Sequence, residues 1–273
     1  MDRVIVTISG HSLLSGEKMD NFIAQYHFKR RNGLNLCIKD GVAYQSDMSV
    51  SVPYDKAYFD KYMLYEVLPI GKKLNDARLS VVKKWAKDMN ILDIGIGCGT
   101  FVKYALSDGL NIWGYDINPY SIHWLRKLAI YDDPIESQNR YFCYTFWDSL
   151  EHISEPQKIL EKIPVGAYIF ISIPIFNDLE KVNESKHYRP NEHYYYFTSI
   201  GLIRWMTNYN LHLIKVYDFE QKAGREGILT FLFERLPITK IIANRETLTR
   251  YFEDQIETTE IIGNTILKGV NNG

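Results

Sequence analysis

Apolar and polar positions along the chain separate into three regimes. At the start, Val4, Val6 and Ile8 interleave with Ile5 and Thr7, a β-branched strand pattern. Residues 26–30 and 34–39 then flank Arg31-Asn32-Gly33, and Asp40-Gly41 precedes a short run at 42–45. Asn-Gly and Asp-Gly between apolar runs predict hairpin turns. Beyond Pro53, Tyr58, Met63, Leu64 and Val67 share one helical face, which ends at Pro69-Ile70-Gly71; Leu79, Val82 and Trp85 mark a second helix over 75–88. From Ile91 the pattern alternates. Strands are predicted at 91–94, 111–115, 141–146 and 167–175, with helices from Thr100, over 119–129, 156–163 and 197–209. A strand pair at 211–219 and 228–233 closes the set through Gly224-Arg225-Glu226-Gly227. Such alternation predicts an α/β doubly wound sheet with an antiparallel closing strand. The expected organisation is a β-rich accessory module over 1–52, the α/β domain over 53–236, and a helical tail over 237–273.

Charge and cysteine usage narrow the classes. Lys plus Arg number 32 and Asp plus Glu 33, a net charge of −1, which excludes a globally basic nucleic-acid binder. Cys37, Cys98 and Cys143 form no Cys-x-x-Cys pair, against a zinc ribbon or a disulfide framework. No apolar leader follows Met1-Asp2-Arg3, so a cytoplasmic protein is expected. The longest apolar run, 167–176, contains Ser172 and Pro174 and is too short to span a bilayer, so no membrane association is expected. Twenty tyrosines point to broad aromatic contact surfaces in a core or around a ligand.

The informative stretch is Asp93-Ile94-Gly95-Ile96-Gly97-Cys98-Gly99-Thr100 between a strand and a helix. Glycines there let the main chain approach a ligand closely, and the helix N-terminus adds unpaired N–H groups. A dinucleotide fingerprint wants G-x-G-x-x-G, but Thr100 stands where its third glycine belongs. Asp116 ends the next strand, where a carboxylate can accept hydrogen bonds from a ribose diol or cap the helix near Pro119. Leu150-Glu151-His152, Ser172-Ile173-Pro174, and His193 ahead of Tyr196-Phe197-Thr198 follow in order.

Together these residues resemble class I S-adenosylmethionine-dependent methyltransferases over about 75–235, closest to the small-molecule branch typified by ubiquinone-pathway O-methyltransferases. The resemblance implies a Rossmann-like methyltransferase sheet with S-adenosyl-L-methionine as cofactor. It assigns Asp93, Gly95, Gly97 and Gly99 to the cofactor's methionine part and ribose. Asp116 goes to the adenosine ribose, Ile117 to the adenine face, and Phe146 and Trp147 to the methionine-side wall. Asp148 would take the cofactor's ammonium or cap a helix. One departure is visible. Only residues 131–136 separate the second helix from the strand at Tyr141, where the family usually places a further strand ending in an acid that meets the adenine amino group. Asp132 and Asp133 are the acids at hand.

Methyl transfer from a sulfonium asks the protein mainly for alignment and water exclusion. A hydroxyl acceptor would also need a base or a metal, and His152 and His193 are the candidate bases. Glu151 and His152 are neighbours and would face apart on a helix, so no metal set is predicted. The segment 185–196 is dense in polar aromatics and follows a strand whose end meets ligands in such sheets. It predicts a substrate wall, with His187, Arg189 and Tyr194 as candidate substrate-binding residues and, with Lys186, an anionic acceptor. Gly224-Arg225-Glu226 is either a second wall or a plain turn.

The expected partner is a small-molecule acceptor with oxygen or nitrogen as the methylated atom. A second copy of the chain is left open. Lys29-Arg30-Arg31 could contact phosphate, but no Asp-Pro-Pro-Tyr-like segment or Pro-Cys nucleophile points to nucleic-acid methylation. Two alternatives stay open: a non-catalytic cofactor-binding module of a larger assembly, and a nucleotide-dependent oxidoreductase.

Overall fold

The computed structural model describes residues 29–31, 34–37, 40–45, 48 and 55–237. The strand expected at 4–8 and the helical tail from 238 lie outside them.

Three short strands, β1 (Lys29–Arg31), β2 (Leu34–Cys37) and β3 (Val42–Tyr44), form an antiparallel meander. Helix α1 (Lys56–Met63) and one 3-10 turn (Leu64–Glu66) lead into α2 (Pro69–Ala86). The sequence pattern ends a helix at Pro69; instead Pro69 opens one. At the first helical position proline loses no hydrogen bond, and its fixed φ suits the helix. Val82 and Ala86 are fully buried from α2.

The alternating part follows as β4 (Ile91–Ile94), α3 (Thr100–Ser107), β5 (Ile112–Tyr115), α4 (Pro119–Lys127) and β6 (Cys143–Trp147). Then come α5 (Gln157–Leu160), β7 (Tyr168–Pro174), β8 (Tyr195–Phe197), α6 (Ser199–Thr207), β9 (Leu211–Tyr217), α7 (Phe219–Lys222) and β10 (Ile228–Arg235). Six strands form one sheet in the order β5-β4-β6-β7-β10-β9. β4 to β7 pair in parallel, while β10 runs antiparallel to both its neighbours. This is the doubly wound sheet with an antiparallel closing strand that the alternation predicts. All residues of β4 and β6 are buried, as strands covered on both faces by helices must be. Among the described residues no helix is long and apolar enough to cross a membrane.

The edge beside β5 carries the rudiment of a further strand. Gly114 bridges Tyr131 in parallel, with Gly114 N–H donating to Ile130 O at 2.9 Å and Asp132 N–H to Gly114 O at 3.1 Å. Asp132 then accepts from Ser137 at 2.6 Å, from Asn139 at 2.9 Å and from the Tyr141 hydroxyl, while Asp133 caps Ile135 N–H at 2.8 Å. Both acids thus stabilise the chain's return to β6.

β8 differs from expectation. Residues 195–197 pattern as the end of a polar aromatic loop and the start of a helix. In the fold they pair antiparallel with β3, Tyr44 opposite Tyr195 and Val42 opposite Phe197. The first sheet therefore reads β1-β2-β3-β8, joining the N-terminal strands to the α/β part. Its faces alternate as the pleat requires. Leu34, Leu36, Ala43 and Tyr196 pack with Phe176, Leu179 and Val182, whereas Val42, Tyr44, Tyr195 and Phe197 join the main core around Trp205.

The seam is tight at Gly201, in the first turn of α6. Thr198 N–H donates to Gly41 O at 2.9 Å, and a Cβ on Gly201 would stand 1.8 Å from that same carbonyl oxygen. Backbone cannot yield as a side chain can. Gly201→Ala should therefore destabilise the protein by about 1–3 kcal/mol through overpacking. A denaturant midpoint equal to that of the parent would contradict this docking.

Candidate functional site

The carboxyl ends of β4, β5 and β6 converge on one edge of the large sheet, where ligands bind in open α/β sheets. Asp93, on β4, is buried and accepts the Thr145 hydroxyl of β6 at 2.6 Å. Burial pushes its carboxyl up to about 7, against the lowering effects of that hydrogen bond and of Arg78. It ties two strands together beneath the glycine loop.

The three loop glycines share positive φ but differ in task. A Cβ on Gly95 would meet the Ser149 Cβ at 2.4 Å, and one on Gly99 the Trp124 ring at 2.6 Å. Those two glycines allow close packing within the protein. Gly97 has φ 57° and nothing within 4 Å of the Cβ position, so its missing side chain leaves open space. Gly97 N–H donates to Asp116 at 2.8 Å, and its carbonyl accepts the Ser121 hydroxyl at 2.5 Å. The other Asp116 oxygen accepts Asn118 N–H at 2.7 Å. Burial raises the Asp116 carboxyl, and these backbone donors work against that rise. Helix α4 is capped by Asn118, which accepts Tyr120 N–H at 2.9 Å. Asp116 therefore braces the loop and leaves the capping to its neighbour. Ile117 beside it is 62% exposed and Tyr120 44%, an apolar ledge next to the open space at Gly97.

On the β6 side both aromatic residues are buried, Phe146 in the main core and Trp147, 7% exposed, on the opposite face of the sheet against Phe101 at 5.2 Å. The Arg78 guanidinium lies 4.9 Å over the Trp147 ring, a cation–π contact. Asp148 follows with φ 54°, a left-handed conformation that costs a non-glycine residue energy. It meets Arg225 at 2.7 Å and Arg78 at 3.2 Å, and both guanidinium groups also reach the fully buried Glu220 at 2.7 Å. Burial alone would push the Asp148 carboxyl up; Arg225 and Arg78 outweigh it and hold the group below the ordinary range. Ser172 Oγ donates to Glu220 at 3.1 Å and shares a hydrogen bond with Thr230. Sequence reasoning missed Arg78 and Glu220 in this cluster. The four charged residues come from separate elements, and the sequence pointed only to Asp148 after β6 and to Arg225 in a turn read as a second wall or a plain turn.

The segment 185–196 packs against that turn. Lys186 pairs with Glu226 at 2.8 Å, and His187 Nε2 meets the Glu226 carbonyl at 2.6 Å. Arg189 O accepts the N–H groups of Glu192 at 3.1 Å and His193 at 3.0 Å. Tyr194 N–H donates to Glu151 O at 2.7 Å, and Tyr194 O accepts Gln45 N–H at 2.8 Å. The segment is thus stitched both to the turn after β6 and to the N-terminal sheet.

That stitching brings His152 and His193 together, ring centroids 4.5 Å apart and planes at 89°. Burial lowers both imidazoles, that of His193 to about 2, helped by neighbouring His152. Glu151 is 1% exposed, and one of its carboxylate oxygens has no hydrogen-bond partner. Burial, with the charge of Asp148, raises its carboxyl well above the ordinary range. The expectation that Glu151 and His152 face apart is corrected. They sit in a single 3-10 turn (Leu150–His152), and ligand atoms of Glu151, His152 and His193 lie within 4.8 Å of one another.

A family model described as a methyltransferase domain matches residues 65–216. Among solved structures, the CcbJ methyltransferase from Streptomyces caelestis is similar at TM-score 0.50 and 11% identity, over 68% of this chain and 100% of that one. An S-adenosylmethionine-dependent methyltransferase from Clostridium acetobutylicum is similar at TM-score 0.48 and 12% identity, over 67% and 100%. Magnesium protoporphyrin IX methyltransferase from Synechocystis is similar at TM-score 0.47 and 13% identity, over 67% and 96%. No curated protein matches the sequence.

Proposed function

This chain belongs to the methyltransferase-domain family, and from that premise we propose that it transfers a methyl group from S-adenosylmethionine to a small-molecule oxygen or nitrogen acceptor. The observation that carries the reading is the pairing of Gly97 with Asp116. Open space at the Gly97 Cβ position, a main-chain bond to the acid ending β5, and exposed Ile117 beside it make a cradle for a nucleoside. S-adenosylmethionine fits that donor set. A carboxylate has about four lone-pair sites, and Asp116 meets the main-chain donors of Gly97, Asn118 and Ile117, leaving capacity for a ribose hydroxyl. Ile117 offers an apolar face to an adenine. The rival dinucleotide reading lacks its third glycine, since Thr100 stands in that place.

When bound, the cofactor supplies an already activated methyl group. The residues around it hold and shield. Trp147, backed by Phe101, gives an aromatic wall, and such faces tolerate positive charge. The Arg78–Asp148–Arg225–Glu220 cluster keeps that wall in place. Asp148 meets both guanidinium groups through one oxygen, and its other oxygen is buried without a hydrogen-bond partner, an acceptor placed for the cofactor's ammonium. Beyond β6, the wall at 185–196 with Arg189 and Tyr194 faces the acceptor, and Arg189 favours an anionic one, Lys186 being paired with Glu226. His152 and His193 stand there as the acceptor-side candidates for a base, and burial lowers both imidazoles.

The test is turnover. Purified protein incubated with S-adenosylmethionine and a small-molecule cell extract should form S-adenosylhomocysteine, and Gly97→Arg should not. Equal formation by both proteins would refute the site.

A further inference from the structure

We propose that Glu151, His152 and His193 form a three-ligand site for a divalent cation of the zinc class, open in its remaining positions to the acceptor's oxygen. Three observations carry it. First, ligand atoms from all three side chains lie within 4.8 Å of one another. Zinc holds nitrogen and oxygen ligands at about 2.0–2.2 Å, so small side-chain rotations close the set on an ion.

Second, the Glu151 carboxylate is 1% exposed with Oε2 bare of any hydrogen bond. A buried carboxylate left so needs a cation or a proton. The nearby guanidinium groups of Arg78 and Arg225 are engaged by Asp148 and Glu220. Arg189 and Glu192, on the segment packed above, bear on His152 with opposite charge effects, and Asp148 bears on Glu151.

Third, the cluster is held by backbone. Tyr194 N–H binds Glu151 O at 2.7 Å, and His193 N–H binds Arg189 O at 3.0 Å. The Tyr195 hydroxyl donates to Ser154 O at 3.0 Å. His152 also makes a backbone hydrogen bond to Glu192. Metal-binding imidazoles are commonly oriented by a second hydrogen bond to a backbone carbonyl or a carboxylate.

Two imidazoles and one carboxylate suit a borderline divalent ion, and three protein ligands leave a position free, as in catalytic sites. Glu151 and His152 follow β6 directly, four and five residues after Trp147, on the acceptor side of the proposed cofactor. The role of the ion rests on the methyl-transfer reading; its binding does not. An acceptor hydroxyl coordinated there would lose its proton to water at lower pH. The oxygen lone pair then forms the O–CH3 bond as the S–CH3 bond breaks, its electrons staying on sulfur. The products are the methyl ether, neutral S-adenosylhomocysteine and one proton.

The experiment strips the full-length protein with a chelator and titrates it with Co2+, followed by visible absorption, and with Zn2+, followed by calorimetry. S-adenosylmethionine affinity is measured separately. One equivalent of each ion should bind at micromolar concentration or tighter, with visible Co2+ bands. Glu151→Gln, which keeps the side-chain shape, and His193→Ala should each weaken binding at least about tenfold with the circular dichroism of the parent. Should His193→Ala fail to fold, Glu151→Gln decides. No ion bound by the parent, or equal binding by Glu151→Gln, would overturn the proposal. Ion binding without S-adenosylmethionine binding would overturn only the methyl-transfer reading. The reverse result would overturn only the metal site.

Discussion

Gly97→Arg is expected to lose at least about 100-fold in S-adenosylmethionine affinity, about 2.7 kcal/mol, while folding as the parent does. The two halves of that expectation have separate grounds. No heavy atom lies within 4 Å of the Gly97 Cβ position, so the new side chain meets no protein wall. The left-handed backbone at φ 57° adds roughly 1–2 kcal/mol of strain, which a domain of this size can carry. The long side chain then occupies the space that the nucleoside needs. Gly95 and Gly99 predict the opposite balance. Their Cβ positions run into Ser149 and Trp124, so substitution there should damage the fold first and binding as a consequence. Calorimetry of binding beside a denaturant midpoint separates the cases. Parental affinity in folded Gly97→Arg would show that the open space is not the cofactor's.

Arg225→Ala is expected to cost about 3–5 kcal/mol of stability, the range for breaking a buried charge pair. Arg225 reaches Asp148 and the fully buried Glu220, each at 2.7 Å, and its own side chain is 23% exposed. Removing it leaves two carboxylates, one of them the fully buried Glu220, to one guanidinium, that of Arg78. The strained backbone at Asp148 loses its closest partner as well. Arg78 still contacts both acids, which places the expected value near the lower end of the range. A thermal or denaturant transition within about 1 kcal/mol of the parent would mean that the cluster behaves like surface ion pairs.

Both predictions concern features of unequal visibility in the sequence. The glycine loop and its acid were legible because their signals are local. A β-branched run, an acid and spaced glycines precede a helix, and Asp116 closes the next apolar run before Pro119 at the start of α4. The parallel order of β4 to β7 follows from strand–helix alternation in the same way.

What stayed hidden is held by contacts between distant residues. Tyr195–Phe197 is a strand only because β3 lies beside it, and three aromatic residues after a polar loop carry no alternation of their own. Pro69 read as a stop because proline marks either end of a helix, and only the following turn decides which. Phe146 patterns like Trp147 as a cofactor wall, yet adjacent strand residues face opposite ways, so Phe146 packs into the main core and Trp147 against Phe101 on the other face. The convergence of Glu151 and His152 could not be read from helical geometry, because their turn is 3-10 and their third partner arrives with β8. Arg78, Asp148, Glu220 and Arg225 meet across the sheet edge from positions that no motif spacing connects.

The central claim is that Asp116 and the glycine loop hold S-adenosylmethionine. Calorimetric titration of the purified protein with S-adenosylmethionine tests it most directly, with NAD and Asp116→Ala as controls. Micromolar binding of S-adenosylmethionine alone, lost in a folded Asp116→Ala protein, is the predicted result. Binding of NAD instead, or unchanged affinity in Asp116→Ala, would contradict the account.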